Sequence, residues 1–317
     1  MKGRGGERRM VPPATFTSYY GRPVLKASPW THDIPAYLFL GGLAAGSSLL
    51  AAGADVTDRP VTRRNGRLAA LGALTGSFYF LVHDLGKPSR FYNMLRVAKP
   101  TSPMSVGTWI LTAYGPVMGA AAMSEVPGFR WLRPFARPAG LAAAAVAPAV
   151  ASYTAVLLAD TATPAWHDAH EELPFVFVGS AAAASGGLQL VLSPLAETRP
   201  ARRFALAGAA LELAAERRME ESMGLSAEAL DSGVAGRWMR AARALTAVGA
   251  ALGLVSRRSR ALSAVSGAAL VTGSVCTRFG VFEAGQESAR DPRYTVVPQR
   301  QRIRNAGGPG SREPITG

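Results

Sequence analysis

The sequence predicts an all-α polytopic membrane protein, eight transmembrane helices in two four-helix bundles, and three observations carry that prediction. Apolar residues make up 48% of the chain and charged residues only 18%, below the roughly one quarter usual in soluble domains. Lys and Arg nevertheless total 35 against 21 Asp and Glu, a net charge of +14, so the charges must cluster between apolar blocks. Glycine, with 34 residues, recurs inside those blocks at helical spacing.

A helix needs roughly 20 mostly apolar residues to cross a hydrocarbon core of about 30 Å. The first run, Ile34 to Ala54, meets that length with no charge. Leu68 to Val82 is shorter and closes on His83 and Asp84. Val106 to Met123, Ala139 to Ala159 and Leu173 to Leu192 are long and uncharged, with Pro or charged residues at their flanks. Phe204 to Ala215 carries Glu212 and is followed by Glu216, while Met239 to Val255 opens with Arg240 and Arg243, whose stems can snorkel to the interface. Leu262 to Phe282 is the eighth. The chain thus divides into an extramembrane segment over residues 1–33, a membrane domain over 34–283 and an extended basic tail over 284–317.

Glycines four residues apart, Gly42 and Gly46, Gly72 and Gly76, Gly115 and Gly119, Gly249 and Gly253, support a packed bundle. Gly costs a soluble helix about 1 kcal/mol against Ala. In lipid the cost is offset where small residues let backbones approach.

With eight spans both termini share one face. The four loops on the other face are short and basic: Arg59, Arg63, Arg64 and Arg67; Arg130, Arg133 and Arg137; Arg199, Arg202 and Arg203; Arg257, Arg258 and Arg260. The positive-inside rule makes that face cytoplasmic and the termini extracytoplasmic. The basic termini and Lys87, Arg90, Arg96 and Lys99 count in the opposite direction. No nucleic-acid recognition motif accompanies the basic tail, so its expected partner is a protein or anionic lipid.

The single cysteine, Cys276, excludes a disulfide framework and any cluster of thiolate ligands, so no iron–sulfur cluster is expected in this chain. Of the four His, His32 precedes the first run, His83 closes the second, and His167 and His170 fall in the loop after the fourth, which leaves no pair for a haem inside the bilayer. His167, His170, Asp168, Glu171 and Glu172 have zinc-compatible chemistry but read as a solvated loop, and no metal is expected. On the face of the termini, His32, Asp33, Tyr37, His83, Asp84, Lys87, Arg90, Trp109, Tyr153, Asp160 and Trp166 gather aromatic rings beside proton donors. A quinone head group requires that, because its carbonyls accept hydrogen bonds and then protons. An interfacial aromatic belt explains the Tyr and Trp equally.

Five stretches, YLFLGGLAAGSSLL from Tyr37, HDLGKPSRFYNMLR from His83, PTSPMSVGTW from Pro100, SYTAVLLAD from Ser152 with TPAW from Thr163, and PFVFVGSAAAASGGLQL from Pro174, resemble the NrfD/PsrC family. The likeness extends more weakly to RDPRYTVVPQR near the end, and the last three runs carry no specific match. It implies a membrane subunit of a molybdopterin oxidoreductase, of the polysulfide reductase or formate dehydrogenase type, in the bacterial cytoplasmic membrane. Such a subunit binds menaquinone or ubiquinone and exchanges electrons with a four-cluster ferredoxin-like iron–sulfur subunit, which in turn serves a molybdopterin catalytic subunit. By the same resemblance Tyr153 and His32 contact the quinone, while Asp84 and Arg90 match the DLG-x-P-x-R-F motif and Trp109 closes SPMS-x-G-x-W. Ala155 and Lys87 depart from the family pattern, which carries Gly and Arg there.

Physical roles stand beside these. Asp84 precedes Gly86 and Pro88, where a helix must stop, so it reads equally as a structural cap. Tyr153 lies about 9 Å inside the fourth run, at 1.5 Å per residue, deep enough for a head group. Glu212 and Arg278 are ionisable groups within runs and read either as a proton path from the opposite face or as an ion pair across the sixth and eighth helices. A transporter or structural anchor is the alternative class, although no broken inverted repeat is evident.

Overall fold

Proline sets where most of these helices begin. Its missing N–H costs nothing in a first turn, and its fixed φ favours helix. The computed structural model describes residues 22–305. In it, after α1 (Asp33–Val56), Pro occupies the first turn of α2 (Pro60–Asp84), α4 (Pro103–Met123), α5 (Arg133–Ala159), α6 (Pro164–Asp168), α7 (Leu173–Leu192) and α8 (Arg199–Ser222). Short α3 (Phe91–Leu95) and α9 (Glu228–Asp231), then α10 (Gly233–Val255), α11 (Arg260–Arg290) and α12 (Arg293–Asn305), complete the described residues, which contain no strand. The eight predicted runs fall within α1, α2, α4, α5, α7, α8, α10 and α11.

Four of these are long and apolar enough to cross a membrane: α1, α5 with the turn before it (Pro127–Ala159), α7 and α11. A fifth candidate is α2 taken with Pro88–Leu95, but the chain bends by 106° between them. That bend sits at Gly86, whose φ of 67° suits a residue without Cβ, and it lays α3 back across the end of α2. Of the remaining long helices α4 carries no charged residue, whereas α8 and α10 carry several, with a reason visible in their packing. On α8, Glu216 faces Arg243 of α10 at 2.5 Å, and Arg243 also pairs with Glu220.

α1 packs on α2, α5 and α7; α4 on α5 and α2; α7 on α8 and α11; and α10 on α11 and α8. The apolar interior has two characters. Toward the end of the molecule where α1 begins and α11 finishes it is aromatic, with Tyr37, Tyr153, Trp166, Phe177 and Phe282 buried. Toward the other end it is built mainly of alanine, among it Ala44, Ala70, Ala121, Ala143 and Ala181, and is crossed by the Tyr114 hydroxyl, which bonds Ala44 O at 2.9 Å and Ser48.

The glycine pattern is half right. A Cβ on Gly46 would strike Ser185 and the Ala181 carbonyl on α7, and one on Gly249 would meet Leu270 at 2.8 Å. Gly72 and Gly119, in contrast, have nothing within 4 Å, and of their partners only Gly76 meets another helix closely, at Leu40 of α1, 3.0 Å away. Close backbone crossings also involve glycines the spacing rule passes over. A Cβ on Gly208 would reach 2.6 Å from the Gly179 carbonyl, and one on Gly187 would reach 2.8 Å from the Gly267 carbonyl.

Two further expectations need correction. The segment from Ala284, expected as an extended tail, continues α11 to Arg290 and re-forms as α12 to Asn305. Gly285 lies flat beneath the Trp166 ring, and Gln286 donates to Ser28 O at 3.2 Å, so this turn of α11 is held by tertiary contact that a polar composition does not display. Residues 306–317 of that tail and 1–21 of the N-terminal segment lie outside the described residues. Glu212 and Arg278 form no direct ion pair: Arg278 donates to Phe177 O at 2.8 Å and stacks on the Phe177 ring at 3.7 Å, while Glu212 accepts from Thr277 at 2.7 Å.

Backbone atoms face Gly208, so nothing there can give way. The variant Gly208→Leu is expected to lose about 1–3 kcal/mol or fail to fold, whereas Gly119→Leu should melt like the parent. Thermal melting of the two purified variants, followed by size-exclusion profile, checks this.

Candidate functional site

Four helices and the loop that carries α3 enclose two adjoining cavities near the end where α1 begins and α11 finishes. The larger, about 400 Å³, lies between α1, α2, α3 and α4 and is walled by Leu74, Phe78, Phe91, Leu95, Leu111 and Pro116. The smaller, about 60 Å³, lies deeper against α5 and is walled by Trp30, Ile34, Met94, Met104, Asp84 and Tyr153. Tyr37, Leu81, Thr108 and Leu111 line both and form the partition.

Local sequence explains this hollow. Pro116 lies inside the continuous α4, and Gly115 beside it adds no side chain, so both leave room at the outer cavity. Gly107 lets the Tyr153 ring lie directly on α4, where any Cβ would overlap it. The Trp30 ring stacks on Trp166 at 5.8 Å, and the Trp166 indole donates to Val281 O at 2.8 Å, so the segment before α1 is pinned over the inner cavity.

Few groups in the hollow are free to meet a ligand, and they are distinct. The Tyr37 and Tyr153 hydroxyls make no hydrogen bond to any described residue, although both side chains are buried. Neither oxygen is among the buried atoms left without a partner, so each opens into the hollow, where water or a ligand can meet it. Thr108 is already spent on Met104 O at 2.8 Å. Asp84 accepts from the Thr31 amide and hydroxyl, both at 3.1 Å and both on Oδ1, which leaves Oδ2 unpaired at the edge of the inner cavity.

The sequence-named residues divide accordingly. Tyr153 and Asp84 meet in the inner cavity. His32 points away and pairs with Glu283 of α11 at 2.6 Å. Arg90 is exposed and donates to Leu85 O at 3.3 Å, bracing the turn after α2. Trp109 is 45% exposed and its indole bonds Val97 O at 3.2 Å, fastening the loop before α4. Glu212 and Arg278 lie across α1 and α7 from the hollow, with Glu212 Oε2 and Arg278 Nε and Nη1 buried and unpartnered. The residue undervalued by sequence is Tyr37. Its position on the first apolar run at the termini face was legible, but nothing distinguished it from a belt tyrosine.

The fold and the hollow define a helical membrane protein with an apolar, tyrosine-bearing cavity close to one face. The family model described as polysulphide reductase, NrfD, matches residues 24–207, more than half of the chain, and the chain belongs to that family. The match covers α1 to α7 and ends within α8, so it includes every wall of the hollow and excludes Glu212 and Arg278. No curated protein matches the chain. The family implies a membrane subunit of polysulfide reductase-type complexes.

If Asp84 ties Thr31 to the end of α2, Asp84→Asn keeps an acceptor oxygen and should melt within about 1 kcal/mol of the parent, while Asp84→Ala should lose roughly 1–2 kcal/mol. Thermal unfolding of both in one detergent separates this structural share from any chemical one.

Proposed function

We propose that this chain is the quinone-binding membrane subunit of a molybdopterin oxidoreductase, of the polysulfide reductase or formate dehydrogenase type, and exchanges electrons with an iron–sulfur partner docked on the face of the termini. The observation that carries the reading is the pair of unpartnered tyrosine hydroxyls, Tyr37 and Tyr153, in an otherwise apolar hollow. The outer cavity, about 400 Å³, falls in the range of small-molecule sites, whereas 60 Å³ suits water better than a ring. A menaquinone or ubiquinone ring therefore enters from the outer cavity, with its tail along Phe78 and Leu74, and turns a carbonyl toward Tyr37.

Quinone and quinol interconvert by two electrons and two protons, and the electrons pass between the ring and the partner. The protein's own part is to orient and protonate: Tyr37 donates a hydrogen bond at the partition, Tyr153 donates through the inner cavity, and Asp84 Oδ2 takes protons from outside and passes them inward. Leu81, Leu111 and Phe91 keep bulk water away. His32, Arg90 and Trp109 contribute by fixing the surrounding loops rather than by touching the ring.

The same reading includes eight spans, four packed as α1, α2, α4 and α5 and four as α7, α8, α10 and α11, in a bacterial cytoplasmic membrane with termini outside. Supporting it are the helix pairs in contact within each group and the alternation of basic loops. It also includes a proton route through the second group. Glu212 has a free buried oxygen, Glu216 stands one turn further along α8, and Arg243 links Glu216 to Glu220 and Asp231 at the rim on the termini side. That supports a route opening on the same face as the termini rather than on the opposite one.

Each hydroxyl removed should cost about 1 kcal/mol, or roughly a fivefold to tenfold weaker affinity. Tyr153→Phe and Tyr37→Phe are expected to weaken binding of a fluorescent-quenching menaquinone analogue by that factor, and unchanged affinity in both would overturn the site. Glu212→Gln should leave analogue affinity unchanged yet slow quinone turnover in the assembled complex at least severalfold; full turnover would remove it from the proton route.

A further inference from the structure

The end of the molecule opposite the termini holds a cavity of another kind. It encloses about 390 Å³ and is lined by charge from four elements: Asp55 at the end of α1, Arg63 and Arg67 of α2, Glu125 after α4, and Arg133 and Arg137 in the first turns of α5. The floor is internally balanced. Arg67 is buried and donates to Asp55 Oδ2 at 2.9 Å, Glu125 Oε1 at 2.8 Å and Ala136 O at 3.2 Å. Arg63 reaches the same two carboxylates, Glu125 at 3.2 Å and Asp55 at 3.5 Å. Two cations and two anions therefore cancel there.

Arg133 and Arg137 are left over. They stand one helical turn apart, both exposed, and neither has a hydrogen-bond or ion-pair partner among the described residues. Two guanidinium groups over a neutral floor give the cavity an uncompensated double positive charge. Planar guanidinium forks fit phosphate oxygens two at a time. The chemistry called for is a phosphate anion with room for a small polar group beneath it.

Depth in the membrane chooses the source. α5 has 27 residues, about 40 Å at 1.5 Å per residue, which exceeds the roughly 30 Å of hydrocarbon. Its first turns thus emerge into the headgroup layer. Trp131 in the turn just before α5 and Phe135 in its first turn, 68% and 61% exposed, project here, as aromatic residues do at that level. A basic pocket between transmembrane helices at that depth meets lipid phosphate before it meets solutes.

We propose that this cavity binds the phosphodiester headgroup of an anionic phospholipid, with Arg133 and Arg137 holding the phosphate and the Asp55–Arg67–Glu125 floor positioning α1, α2 and α5 around it. The proposal depends on the membrane insertion of α5 and is independent of the quinone reading. Ligand at about a hundredfold excess over Kd stabilises by about 2.7 kcal/mol.

The experiment uses the purified, delipidated full-length chain in detergent. Thermal melting is followed as dioleoyl phosphatidylglycerol, dioleoyl phosphatidylcholine or inorganic phosphate is added, and retained lipid is counted by native mass spectrometry. Phosphatidylglycerol is expected to raise the midpoint by several degrees, roughly 3 °C per kcal/mol, with phosphatidylcholine and phosphate giving much less. The double variant Arg133→Gln/Arg137→Gln should lose most of that shift and one retained lipid, while Arg257→Gln/Arg258→Gln, equally basic and on the same face, keeps both. Equal stabilisation by phosphatidylcholine, an effect reproduced by inorganic phosphate, or an undiminished shift in the Arg133/Arg137 variant would each overturn the proposal. Should that variant melt lower without lipid, the retained-lipid count still decides.

Discussion

Backbone contact at α7 is the constraint on which the arrangement rests. Gly179 and Gly186 let α8 lie directly on this helix, and Gly187 does the same for α11 through Gly267. On its third side α7 receives Gly46 of α1. In a hydrocarbon solvent no hydrophobic force drives helices together, so close van der Waals contact and interhelical hydrogen bonds must do it. The Ser180 to Ser274 bond at 2.8 Å, between α7 and α11, is one of the latter. With three backbones fixed against one helix, the positions of α1 and α11 are set. They carry Tyr37 and the Trp166 platform to the end where the hollow forms.

The interior's gradient from alanine to aromatic follows. Where backbones touch, only Ala, Ser and Gly fit; where helices diverge toward the termini, larger rings fill the space. Filling is incomplete at α4, because Pro116 and Gly115 remove the atoms that would close the outer cavity. The hollow is thus a packing consequence as much as a binding feature. Its polar groups without a hydrogen-bond partner among the described residues are few, the Tyr37 and Tyr153 hydroxyls and one Asp84 oxygen, because Thr75, Ser77, Thr108 and Thr112 donate to backbone carbonyls. The charged groups of α8 and α10 are instead kept in an ion cluster of their own, Glu216, Glu220 and Asp231 around Arg243.

Much of this was legible in the residues. Run length located all eight long helices, and the SPMS-x-G-x-W and DLG-x-P-x-R-F stretches marked the elements around the hollow. Tyr153 and Asp84 line the inner cavity, where their helix positions put them, because depth along a helix and a stop signal are local properties. His32, Arg90 and Trp109 lie off the cavity walls because which way a loop side chain turns is decided by its partners, for His32 the sequence-distant Glu283. The GxxxG rule failed at Gly72 and Gly119 for a related reason: spacing puts small residues on one face but does not say that another helix lies there. The helical tail escaped notice because Gly285 and Gln286 are anchored by Trp166 and Ser28, contacts that no polar composition announces.

The central claim, that the hollow between α1, α2, α4 and α5 receives the quinone, is tested most directly by photo-crosslinking. An azido-naphthoquinone with a prenyl tail, irradiated with the membrane-embedded protein and mapped by peptide mass spectrometry, should label segments around Tyr37, Leu81, Phe91, Leu111 and Tyr153, with competition by unlabelled menaquinone. Label confined to α8, α10 or α11, or label that menaquinone does not displace, would contradict the account.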